Sequence, residues 1–212
     1  MRTTFNRILL WSLSLTVVAA GVLAAAWWYW PAAFLPGTRG LSISGGDPHL
    51  RALMRTISAS EANVPNPYHV LHGGETVGSL DQHPNQCMAI HAGPNRGKCS
   101  TAAGRYQLLH ATWMELAQRY HPAAGTANAG DDPRVLPFGP VDQDTVVMQW
   151  LADEKAWGMD IAGRLQNGEV EVVFKRLSGT WTSLGYGSES NQMSSVLPRI
   201  YGQMLQEELD RQ

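Results

Sequence analysis

The stretch Asp47–Glu61, DPHLRALMRTISASE, decides how the rest of the chain is read. Asp47 is a good N-cap and Pro48 suits the first helical position, so a helix starts here. Leu50, Leu53, Met54 and Ile57 recur at helical spacing and form one apolar stripe. Glu61 follows Ile57 by four residues and falls on the same face, near the helix's C-terminal end. Partial burial and the negative end of the helix dipole both disfavour a carboxylate there. The expectation is a carboxyl group that keeps its proton toward neutral pH, as a general acid must. The plainer alternative is a solvated glutamate beyond a frayed helix end.

Upstream, the chain opens MRTTFNR and continues with 23 uncharged residues from Ile8 to Trp30. That length crosses a bilayer as a helix. Arg2 and Arg7 place the N-terminus in the cytoplasm, and Trp27-Trp28-Tyr29-Trp30 has the character of an interfacial belt. Residues 1–30 are therefore expected to be a signal anchor, held in the inner membrane through residues 8–30. A cleaved signal segment ending near Ala24-Ala25-Ala26 is the alternative. Both export the remainder, to the periplasm or beyond. Residues 31–46, PAAFLPGTRGLSISGG, read as a linker, because Pro and Gly recur without a period. The domain is expected over 47–212.

The 212 residues carry a net charge of −2 and a pI near 6.4, so no nucleic-acid surface is expected. Two cysteines, Cys87 and Cys99, lie twelve positions apart in the exported part. In an oxidising compartment they would close a small loop, stabilising by about 3 kcal/mol. Zinc is the alternative, since His83, Cys87, His91 and Cys99 have spacings that a zinc ion tolerates.

Between Asn63 and Ala103, Gly, Pro, Asn and His are frequent and short strands with long loops are expected, forming a groove wall. Helices are expected over Tyr106–Tyr120, Asp142–Trp157 and about Ser195–Leu209, with Pro198 tolerable in the first turn of the last. Val170–Leu177 is ambiguous in period, with Val173, Phe174 and Leu177 favouring helix. The domain is thus mostly helical with a small β part.

Three stretches mix glycine with hydroxyl, amide and aromatic side chains: His72-Gly73-Gly74-Glu75 with His83-Pro84, Ser100 to Gln107, and Ser178 to Gly187. Such residues suit a sugar, whose faces stack on rings and whose hydroxyls need oriented partners. Each stretch taken singly also fits an ordinary turn, and Trp181 fits a core residue.

Ser100-Thr101-Ala102-Ala103-Gly104-Arg105-Tyr106-Gln107-Leu108-Leu109 resembles the S-T-G-A-G-R-Y-Q-L-L stretch of the bacteriophage lambda lysozyme family. Gly73-Gly74-Glu75 and His83-Pro84 keep that family's mutual spacing. Ser60-Glu61 resembles its catalytic Ser-Glu pair. Trp181, Ser183 and Leu184, then Gly185-Tyr186-Gly187, resemble its late W-x-S-L and G-Y-G pieces. The resemblance runs from about Leu50 to the C-terminus, and it is most specific over Gly104 to Gln107. It implies an α+β, lysozyme-like fold with a glycan groove between two lobes. It also implies a lytic transglycosylase that cleaves the β-1,4 bond between N-acetylmuramic acid and N-acetylglucosamine in peptidoglycan, leaving a 1,6-anhydromuramic end.

On that resemblance Glu61 is the catalytic acid and then base. Ser60, Ser100, Tyr106, Gln107, Trp181 and Tyr186 are expected to hold the sugar. Glu75 is the rival carboxylate, which would allow an inverting hydrolase if it faced Glu61 across the groove. Peptidoglycan glycan strands are the expected partner, with no metal and no cofactor. The chain departs from the family in a short segment between Glu61 and Tyr68, in Ala62 where the family has glycine, and in a rebuilt loop before Ser100 that carries both cysteines. A different class of function is a membrane-anchored peptidoglycan-binding or envelope-assembly module with little or no catalysis, working with an envelope-complex partner.

Overall fold

Asp47 caps the first long helix as its residue type suggests: its side chain accepts from the His49 and Leu50 backbone N–H groups. The computed structural model describes residues 35–125, 136–186 and 194–211. The chain divides into Met1–Ala32 and Ala33–Gln212, and all described residues belong to the second unit. The expected membrane span, 8–30, lies outside the described residues. Among the described residues, no helix is long and apolar enough to cross a membrane.

Helix α1, Pro48–Glu61, is buried on more than the expected stripe. Leu50, Leu53, Met54 and Ile57 are in the core, and so are Arg55, Thr56 and Ser58 on its other faces. Polar groups buried on a helix are costly unless paired, and two of these three find partners within the domain. Thr56 Oγ1 donates to the Ala52 carbonyl, and the Arg55 guanidinium donates to the Thr38 carbonyl and to Glu208.

Strands β1 (Met88–Ala89) and β2 (Cys99–Ser100) pair antiparallel, with Met88 opposite Ser100 and Ala89 opposite Cys99. Cys87 and Cys99 are joined in a disulfide that staples the base of this hairpin. The rest of the β part consists of single bridges, Val70 with Thr76, Leu71 with Ala103, and Ala103 with Leu108. Helix content follows in α2 (His110–Tyr120), α3 (Pro140–Ala152), α4 (Glu154–Trp157), α5 (Ile161–Gln166), α6 (Val170–Leu177) and α7 (Leu197–Leu209).

Two expected helices are shorter than their periodicity suggests. Tyr106–Leu109 is not helical: Gly104 and Gln107 adopt positive φ, and Leu109 is an exposed N-cap instead of part of the buried stripe. Asp142–Trp157 is two helices, because the Asp153 side chain leaves the first and caps the second through Lys155 and Ala156 N–H. Val170–Leu177 is helical, with Val173, Phe174 and Leu177 buried.

The stretch expected to be a linker, described from Leu35 on, is tied into the domain. Pro36–Thr38 forms a 3-10 turn against α1. A Cβ on Gly37 would lie 2.6 Å from the Ser58 carbonyl oxygen, so only glycine allows this approach. The buried Arg105 guanidinium donates to the Gly40 carbonyl at 3.0 Å and the Arg39 carbonyl at 2.5 Å. Pro and Gly recur here because the strap must turn and pack closely, not because it is slack.

Helix α1 packs most extensively on α7. Glu208, 3% exposed, accepts from Arg51 at 2.6 Å and Arg55 at 2.7 Å. Burial pushes its carboxyl up, but the two guanidinium groups outweigh this and hold it below the usual carboxylate range.

Candidate active site

Glu61 ends α1 half-buried on the wall of a cleft of about 350 Å³. Ala62, Asn63 and Val64 continue that wall, and the segment from Val70 to Gly74 faces into the same space. Ala102, Gln107 and Thr182 complete the lining. The cleft thus gathers Glu61 and Gln107 with Gly73-Gly74. Among its described lining residues Glu61 is the only carboxylate.

The Ser183 hydroxyl donates to Glu61 Oε1 and lies 2.9 Å from Ser60 Oγ. Ser60 in turn donates to the Ile57 carbonyl at 2.9 Å. Ser60 therefore stands behind the acid. Ser183 comes from the 3-10 turn Thr182–Leu184; the sequence marked it within Ser178–Gly187 and in the W-x-S-L resemblance, without a role of its own.

Gln107 sits in a turn that begins at Gly104. A Cβ on Gly104 would lie 2.3 Å from Gln143 Oε1 and 2.8 Å from the Phe138 ring, at φ +75°, so glycine is required. Gln107 Nε2 donates to the Val70 carbonyl at 3.2 Å and the Gly104 carbonyl at 3.0 Å. With its amide nitrogen so engaged, Gln107 offers a ligand its carbonyl oxygen, an acceptor.

Two expected sugar contacts are core residues. Tyr106 is 1% exposed and its hydroxyl donates to Asp144 Oδ1 at 2.5 Å. Trp181 is 2% exposed, and its Nε1 donates to the Tyr106 carbonyl at 2.9 Å. Neither ring is open to a ligand. Trp181 packs instead against Trp150 and Trp157, with centroids 5.3 and 6.2 Å away. Both residues shape the site from below, by holding the turns that carry Gln107 and Ser183.

Ser100 does not line the cleft. Its Oγ accepts from Ala102 N at 3.2 Å and so supports a residue that does. Tyr186 is 58% exposed and stands outside the cleft lining, at the edge of the described residues. Glu75 is exposed and is absent from the cleft lining as well. Its carbonyl accepts from Leu71 N at 2.7 Å and closes the turn that presents Gly73-Gly74.

Beneath the cleft lies a buried polar cluster. Asp144 accepts from Tyr106, from the Tyr68 hydroxyl at 2.7 Å and from Ser42 N at 2.6 Å. Arg105 Nη1 donates to the Tyr68 hydroxyl at 2.8 Å. Burial, then the neighbouring Asp144, pushes the Tyr106 phenol well up, so it stays a donor.

His83 is 3% exposed and serves the core, not a metal. Its Nδ1 accepts from Asn85 N at 3.1 Å, so Nε2 carries the hydrogen that meets the Leu108 carbonyl at 2.9 Å. Both nitrogens are engaged, and Cys87 and Cys99 are bonded to each other, which removes the zinc alternative. Burial lowers the His83 pKa to about 4.

Comparison with known proteins places this geometry. The endolysin family model matches residues 51–205. The endolysin of Escherichia phage lambda is 28% identical over 136 residues, covering 63% of this chain and 72% of that protein. The structure of bacteriophage lambda lysozyme complexed with a chitohexasaccharide superposes with a TM-score of 0.54 at 23% identity, covering 76% of this chain and 97% of that one. A second structure, lysozyme from bacteriophage lambda, gives a TM-score of 0.50 at 21% identity over 78% of this chain and 97% of that one. These likenesses establish the lambda lysozyme fold, and the match over residues 51–205 establishes that the chain belongs to the endolysin family.

Proposed function

We propose that this protein is a peptidoglycan lytic transglycosylase in which Glu61 acts first as general acid and then as general base. Its membership of the endolysin family supports the coarser statement, a peptidoglycan-degrading glycosidase. The observation that carries the finer one is that Glu61 is the only carboxylate among the described residues lining the cleft. Ordinary glycosidases place two carboxyl groups across the scissile bond, roughly 5–9.5 Å apart. A transglycosylase manages with one, because the substrate supplies the second group and the nucleophile.

The steps balance without water. Glu61 gives its proton to the glycosidic oxygen as the C1–O bond of N-acetylmuramic acid breaks. The substrate's own N-acetyl carbonyl stabilises the developing cation. The C6 hydroxyl oxygen then attacks C1, and its proton returns to the Glu61 carboxylate. The product is a 1,6-anhydromuramic end. Gln107 Oε1 is suited to accept from a sugar hydroxyl or amide, and the open space over Gly73 and Gly74 leaves room for substituents.

The Cys87–Cys99 disulfide fits action on the periplasmic side, an oxidising compartment. Residues 8–30 are proposed as the segment that takes the domain there, by anchoring or by cleavage. The test is release of soluble fragments from purified peptidoglycan by the full chain and by Glu61→Gln. The expected result is release by the wild type alone, with sacculus binding retained in the variant. Equal release by both removes Glu61 from the reaction. No release by either, with binding intact, favours the binding module.

A further inference from the structure

The proposed reaction makes Glu61 give up a proton and take one back, and the inference below rests on that reading. Ser183 Oγ meets two acceptors, Glu61 Oε1 on one side and Ser60 Oγ at 2.9 Å on the other. A serine has one hydroxyl hydrogen. The hydrogen of Ser60 is engaged by the Ile57 carbonyl at 2.9 Å, so the Ser60 oxygen is available to Ser183 as an acceptor. A carboxylate competes for the Ser183 hydrogen with a charge-assisted bond, about twice as strong as a neutral one. A protonated, neutral carboxyl has no such advantage over Ser60.

We propose that Ser183 is a positioning residue for Glu61, turning its hydroxyl onto Oε1 as the acid proton leaves and back toward Ser60 as the proton returns. Only the hydroxyl hydrogen moves, and no proton is exchanged with the serine. Its neighbours keep the rest of the residue still. Trp181 and Leu184 are 2% and 1% exposed, and Trp181 is bonded to the Tyr106 carbonyl. Leu184, Thr182 and Ser183 bring no charge to the carboxyl from their turn. Among the described residues, the other titratable side chain lining the cleft is His72, on the segment facing Glu61. It is common to every variant below.

The test is the pH dependence of kcat and kcat/KM for the full chain carrying Ser183→Ala, Ser183→Thr or Ser60→Ala, beside Glu61→Gln. Ser183→Ala removes a donor to the carboxylate, so the basic limb of kcat/KM should move up by about one pH unit. Its kcat should fall about 100-fold, the lower end of the roughly 100- to 1,000-fold loss on removing one preorganised donor, with KM little changed. Ser183→Thr should restore both. Ser60→Ala removes the rival acceptor, so the limb should move the opposite way. An unshifted limb in Ser183→Ala, a failure of threonine to rescue, or shifts of the same sign in both alanine variants overturns the proposal. If Ser183→Ala fails to fold by thermal melt, the threonine and Ser60 variants carry the test. Full activity in Glu61→Gln defeats the underlying reading of the reaction. An inactive Glu61→Gln beside an unshifted Ser183→Ala defeats this proposal alone.

Discussion

Trp181 Nε1 donates to the Tyr106 carbonyl at 2.9 Å, and this bond joins the turn that carries Ser183 to the turn that carries Gln107. Two sides of the cleft therefore share one buried hydrogen bond. In Trp181→Phe the ring volume is mostly kept but the Tyr106 carbonyl loses its donor. Leaving a buried acceptor unpaired costs about 1–3 kcal/mol. The melting temperature should fall accordingly, and glycan cleavage by the folded protein should fall further. Wild-type cleavage rates in a folded Trp181→Phe would contradict this coupling.

The strap ahead of α1 is a part of the site's support. Gly37 N donates to Asn63 Oδ1 at 3.1 Å, and Asn63 lines the cleft. Its Cα passes so close to Ser58 and Ala59 that a side chain meets backbone. Gly37→Val should push the strap off α1, lower stability by about 1–3 kcal/mol as overpacking does, and reduce cleavage through Asn63 and Arg105. Thermal melts and fragment release measure the two effects. A neutral substitution would mean the strap is dispensable.

Glu208 is the shared partner of Arg51 and Arg55 inside the α1–α7 contact. Glu208→Gln leaves Arg51 without its carboxylate partner and the buried Arg55 with Glu207 alone, and breaking a buried pair costs up to about 3–5 kcal/mol. Urea unfolding should show that loss, while the protein that remains folded should still cleave glycan, because the ion pair lies outside the cleft lining.

His83 makes stability depend on mild acid. Its folded pKa of about 4 lies below the 6.5 usual for histidine, so the unfolded chain binds the proton first. The contribution is complete above pH 6.5 and is lost as pH falls toward 4. The full span is roughly 3 kcal/mol by linkage. His83→Gln cannot take up this proton, so the slope of stability between those pH values should flatten. An unchanged slope would show that other groups set it.

Much of this was legible from residue types alone. The Asp47-Pro48 start, the buried stripe of α1 and the α6 helix follow from capping and period. Glu61 stood out because an acid at that spacing is unusual. Tyr106 and Trp181 misled because an aromatic ring in a glycine-rich stretch looks the same whether it faces a sugar or a core, and only the partners of its polar atoms decide. The strap misled because Pro and Gly mark close packing as readily as slackness, and the deciding contacts, Gly37 to Ser58 and Arg105 to Arg39, join residues far apart in sequence. The role of Ser183 was not legible for the same reason: its partner Glu61 lies 122 positions away.

The most direct measurement is mass spectrometry of the fragments that the full chain releases from purified peptidoglycan, beside those from Glu61→Gln. Anhydromuramic ends from the wild type, absent from the variant, are the predicted result. Reducing ends would mean that water attacks C1, and would contradict a single-carboxylate transglycosylase centred on Glu61.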